Sequence, residues 1–144
     1  MALKLYSEDG LFNLDMLDAT AMKMAKSFIR PPRVKIGNHE IPDKRLTTVE
    51  LREFFIEIKA VYDNFRANRN NADAFTNIKP QLLLLKARAM YSCPKTVKNR
   101  RIPGTFRDFI VELVDSIKDE DSLEKAMMVF QAVIGYCYGY GIRD

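Results

Sequence analysis

Between Thr105 and Ile117 the large apolar side chains fall at Phe106, Phe109, Ile110, Leu113, Val114 and Ile117. Steps of three and four lay a continuous stripe along one side of an α-helix and do not fit the two-residue alternation of a half-buried strand. Asp108, Glu112 and Asp115 make the other side acidic. Burying six such side chains contributes on the order of 10 kcal/mol gross, before chain entropy is subtracted. A stripe of this kind needs other helices to cover it.

The same period recurs elsewhere. Leu14, Leu17, Ala21, Met24 and Phe28 predict a helix over 14–29, with Asn13 as N-cap and Asp15 in the first turn. Pro31 and Pro32 end it, and 33–46 reads as a loop broken by Gly37, Asn38 and Pro42. Thr47 and Glu50 form a capping-box pattern ahead of a stripe at Leu51, Phe54, Phe55, Ile58, Tyr62 and Phe65, ending near Asn68. A third helix is capped by Asn71 or Asp73, meets Pro80 as a kink or a restart, and stops at about Ser92, before Pro94. Its run Leu82–Leu85 predicts a central helix, apolar on more than one side. The last helix is capped by Asp121 or Ser122, carries Leu123, Ala126, Met127, Phe130, Val133, Ile134, Cys137 and Tyr138, and ends at Gly139 and Gly141. No stretch has a convincing strand period. The prediction is an all-α, compact bundle of about five helices, one domain over 1–144, a length sufficient for a sizeable core.

The net charge of +4 conceals a segregation. Residues 22–45 balance to +5, residues 79–107 carry eight basic and no acidic side chains, and residues 108–144 balance to −5. The basic side chains of the first segment, from Arg30 to Arg45, read as exposed. The acid-free stretch runs from the third helix into a proline-flanked loop holding Lys95, Lys98, Arg100 and Arg101. Cations on a rigid support suit a polyanion, although a charge run is more often only a solvated face. Tyr91 is either a stacking platform for a base or a core or boundary residue. No base-reading helix-turn-helix and no aromatic RNA-recognition sheet motif is present, so contacts would go to the backbone and leave sequence to base pairing.

Tests for chemistry are negative. The lone His39 lies in a polar loop without a nucleophile partner, and one His with two distant Cys supplies no usual zinc set. No phosphate-binding glycine loop occurs. Asp119, Glu120 and Asp121 fit helix capping better than a metal site, and a small metal-dependent nuclease built on them is the weakest alternative. No apolar run reaches the roughly 18 residues of a membrane span, and the N-terminus lacks the pattern of a secretory signal. Cys93 and Cys137 read as reduced thiols of a cytoplasmic protein. The expectation is a non-enzyme without metal or cofactor.

Three blocks, in order, carry a resemblance: LTTVELREFFIEIKAVY (46–62), IKPQLLLLKARAMY (78–91) and MMVFQAVIGYCYGYG (127–141). They resemble the small subunit of type III-A (Csm) CRISPR interference complexes, with its "L-T-T-x-x-[IL]-R" helix opening, its "L-K-A-[RK]-x-x-Y" helix end and its C-terminal "F-F-E-A-[IV]-[VL]-A-Y-x-x-x-x-G". Gln131 and Gly135 depart from the last motif, and 1–45 matches nothing in the family. The resemblance implies a non-enzymatic, all-α subunit, present in several copies beside the guide-RNA backbone of the complex. Its partners would be guide and target RNA, other subunits, and neighbouring copies met through the acidic C-terminal helices. Arg52, Lys86 and Arg88 follow as RNA-facing candidates from the matched positions. Arg45, Lys79, Lys95, Lys98, Arg100 and Arg101 join them on charge alone. The RNA-binding reading as a whole expects Arg52, Lys86 and Arg88 in one shared positive groove; scatter over unrelated faces or internal ion pairs would count against it. The competing expectation is a helical adaptor that binds only protein.

Overall fold

The computed structural model describes residues 2–144. A 3-10 turn at Leu14–Leu17 precedes α1 (Ala19–Ile29). A short antiparallel hairpin, β1 (Val34–Ile36) and β2 (His39–Ile41), leads to α2 (Thr48–Ala67). Then come α3 (Ala74–Tyr91), a 3-10 turn at Val97–Asn99, α4 (Gly104–Ser116) and α5 (Glu120–Gly139). The architecture is the expected mostly α-helical bundle of five helices.

Phe106 is the hub of the core. Its ring meets Phe28 of α1 edge-on at 5.1 Å and Phe54 of α2 at 5.4 Å. Phe130 of α5 packs against Phe109 of α4 at 5.4 Å. Each edge-to-face pair adds about 0.5–1.5 kcal/mol beyond the area it buries. All six residues of the predicted α4 stripe are buried, as are Leu51, Phe54, Ile58, Val61 and Phe65 of α2. The core is continuous from Leu5 to Ile142. The N-terminal segment joins it through Leu3, whose N–H donates to Ser116 Oγ at 2.7 Å.

Four local expectations are corrected. The first helix is not continuous: Asn13 caps the 3-10 turn by accepting from the Asp15 N–H, and Asp18 breaks from helical geometry before α1 begins. The 33–46 loop contains the hairpin, closed by Gly37 at φ +59°, the left-handed residue that a primed two-residue turn demands. α3 is not central. At 100° per residue four consecutive leucines cannot all face inward, so Leu82 and Leu85 are buried while Leu83 and Leu84 are 60% and 68% exposed. α3 packs on α2 and α4 through Ala74, Ile78, Leu82, Leu85 and Ala89, and it runs through Pro80 without ending. α5 is capped two or three residues earlier than expected, by Asp119, in a reciprocal box with Ser122.

Candidate nucleic-acid interface

Thr47 starts α2 by accepting from the Glu50 N–H at 3.3 Å. The Glu50 carboxylate does not return to the Thr47 backbone; it accepts instead from Arg101, 3.0 Å away. Asp43, just upstream, accepts from Arg100 at 2.9 Å and from the Gly104 N–H at 3.0 Å. Arg100 also donates through Nε to the Pro94 carbonyl at 2.8 Å. Two ion pairs thus fasten the 92–103 loop to the N-terminal end of α2, and Asp43 at the same time caps α4. Cys93 and Ile102 anchor the loop from below, both buried. Burial raises the Cys93 thiol pKa despite the nearby guanidinium groups of Arg100 and Arg107.

The stretch 79–107 is acid-free in sequence but not in space. Lys86 pairs with Asp115 of α4 at 2.6 Å. Arg88 lies on the opposite flank of α3, held by Glu53 at 3.1 Å and by Glu57, with its guanidinium 4.6 Å from the Phe54 ring. Arg100 is 9% exposed against an Asp43 that is 4% exposed. Lys86, Arg88 and Arg100 are therefore engaged within the bundle, and Arg52, Lys86 and Arg88 do not share one unpaired surface. Lys79 stands toward the other end of α3, its ammonium 5.9 Å from the Phe75 ring.

The remaining candidates are left more open. Arg45 and Arg52 are exposed and lack ion pairs among the described residues, and so are Lys95 and Lys98. Arg52 sits one turn into α2, away from its buried stripe. Arg101 keeps 62% of its side chain exposed despite Glu50. Tyr91, at the end of α3 where the loop departs, is 84% exposed, which removes the core reading and leaves a ring open for stacking. Sequence reasoning missed Lys44 and Arg143, which line a cavity beside Arg45 at the start of α2. Arg143 is placed there by its carbonyl, which accepts from the Thr48 N–H at 2.9 Å. The signal available for Lys44 was the +5 balance of residues 22–45.

The carboxylates at 119–121 have structural partners. Asp119 is the α5 cap, Glu120 pairs with Arg69 at 2.5 Å, and Asp121 accepts from the Tyr6 hydroxyl and pairs with Lys125. Among the described residues no group of three or more His, Cys, Asp or Glu converges as a metal site. Cys93 and Cys137 are free thiols. Among the described residues no helix is long and apolar enough to cross a membrane.

The fold defines a small helical-bundle protein. The family model described as Csm2 Type III-A matches residues 32–142, and the chain belongs to that family. It is a small subunit of the type III-A CRISPR (Csm) complex, with the other subunits of that complex as partners. The match begins fourteen residues before the first recognised block and so takes in the hairpin and Asp43. No curated protein and no solved structure matches the chain significantly.

Proposed function

We propose that the chain is a non-catalytic, RNA-binding subunit that holds the guide–target backbone by phosphate contacts and leaves sequence to base pairing. The observation that carries this reading is that Arg45 and Arg52, at the start of α2, and Lys95 and Lys98, on the loop fastened to it, stay exposed and without ion pairs among the described residues. Such cations retain their charge for an outside anion, whereas Lys86, Arg88 and Arg100 have theirs met internally and serve the fold. Tyr91 supplies a stacking face worth about 1–3 kcal/mol per base. The acidic side of the C-terminal helices meets basic surfaces of neighbouring copies; a charge-reversal pair across adjacent copies that left assembly unchanged would count against that contact.

A protein-only adaptor is the second reading, favoured by the exposed apolar side chains Ile56 and Leu84 lining the α2–α3 groove. Binding of single-stranded RNA by the purified chain separates the two. The RNA reading expects sequence-independent binding at low salt that weakens as salt rises. No binding at low salt, together with partner subunits retained after nuclease treatment of the complex, would establish the adaptor instead.

A further inference from the structure

Lys26 and Arg30 stand one turn apart at the end of α1, and Tyr140 follows the end of α5. With Ile29 they line a concavity of about 70 Å³. That is roughly twice the ~30 Å³ that a water molecule occupies in the liquid, enough for a small anion. The Tyr140 hydroxyl is the one buried side-chain polar atom that has no hydrogen-bond partner among the described residues. Buried polar atoms are nearly always paired, so an orphan hydroxyl on a residue that shares a concavity with two cations asks for an acceptor. The Lys26 ammonium lies 5.1 Å from the centroid of the Tyr140 ring, and neither Lys26 nor Arg30 has an ion pair among the described residues.

Ile29 also lines the adjoining cavity of about 490 Å³, which carries Lys44, Arg45 and Arg143. Its carboxylates are Asp144 and Asp43, and Asp43 is already committed to Arg100. The α2 N-terminus, whose dipole favours anions, opens beside it.

We propose that these two concavities form a phosphate seat. The Tyr140 O–H donates to a phosphate oxygen, Lys26 and Arg30 neutralise it, and Lys44, Arg45 and Arg143 receive the next phosphate of the same chain. The assignment to an RNA backbone rests on the RNA-binding reading above; the phosphate chemistry does not.

Two arms of one experiment on the full chain test it. In the first, inorganic phosphate is titrated while the aromatic NMR signals of Tyr140 are followed. The expected result is a saturable shift in the wild type and in no K26A–R30A variant; no saturable shift in the wild type, or one that persists in K26A–R30A, overturns the seat. In the second, a labelled single-stranded RNA is bound by wild type, Y140F and K26A–R30A across a salt series. Y140F should weaken binding by about tenfold, since hydrogen bonds to charged groups are the stronger kind. K26A–R30A, which strips one phosphate of its neutralising cations, should make the slope of log affinity against log salt shallower by about 0.7, the value per phosphate contact on single strands. Unchanged RNA binding in both variants, with the phosphate shift intact, overturns the RNA assignment and marks a site for free phosphate. Absence of RNA binding by the wild type refutes the RNA-binding reading and the RNA assignment alike, and the first arm still decides the seat.

Discussion

Replacing Arg100 by alanine removes one half of an ion pair that is almost wholly out of solvent, 9% and 4% exposed on its two sides. Breaking a buried pair from one side costs about 3–5 kcal/mol, because the remaining charge stays desolvated and uncompensated. Asp43 keeps the Gly104 N–H at 3.0 Å and the Lys44 N–H at 2.7 Å, so the lower end of that range applies, about 3 kcal/mol. The lost Nε bond to the Pro94 carbonyl adds to it. For a domain of this size about 3 kcal/mol corresponds to a fall in Tm of roughly 10 °C, read by calorimetry or circular dichroism. A second variant, R100L–D43N, keeps the packing of the stem and an acceptor for the Gly104 N–H while removing both charges. It should recover about half of the loss, since an ion pair replaced by neutral groups of similar shape is often close to neutral. A fall of less than about 3 °C for R100A would refute the assignment of Arg100 to the fold.

Other expectations follow from single contacts. F106A empties the centre of the aromatic cluster and should cost about 3–5 kcal/mol in denaturant unfolding. D119A removes the α5 cap and should cost about 1 kcal/mol, whereas Lys95→Ala, at an exposed and unpaired position, should change stability by less than about 0.5 kcal/mol. Burial pushes the Cys137 thiol up to about 12 from 9.0, and burial with the Asp121 hydrogen bond pushes Tyr6 up to about 12 from 10.0. Both groups keep their protons longer in the folded chain. Their contribution is complete below pH 9 and is lost as pH rises from 9 toward 12, visible as a falling Tm over that window. Tyr6 shifts Asp121 the other way: its hydrogen bond holds that carboxyl below the usual 3.8, so its contribution is present above that pH and lost as pH falls below it. Y6F should flatten the acid limb.

Periodicity carried most of the helical architecture. The α4 stripe is buried at all six positions, and Thr47 caps α2 as its sequence predicts, because these features depend on residues within one or two turns. Leu83 and Leu84 were misjudged because composition ignores angle: a run of leucines looks apolar all round, yet only the neighbours on α2 and α4 decide which side is covered. The hairpin at 34–41 is three residues per strand, too short for alternation to register. The charged surface was the least legible part. Arg100 finds Asp43 across 57 positions of sequence, Arg101 finds Glu50 across 51, and Lys86 finds Asp115 across 29. Nothing local marks such pairs, so a stretch without acids reads as uncompensated charge until the fold supplies its partners. The segment 22–45 reads as a helix end and a loop with exposed basic side chains, yet it places Lys26, Arg30, Lys44 and Arg45 around two concavities.

The division between cations that hold the bundle and cations left for a polyanion is tested most directly by the salt dependence of RNA binding in one variant, R45A–R52A–K95A–K98A. With Tm unchanged, log affinity for single-stranded RNA should fall less steeply with log salt than in the wild type, by roughly 0.7 for each of the contacts removed. A slope and affinity equal to the wild type's would contradict the account.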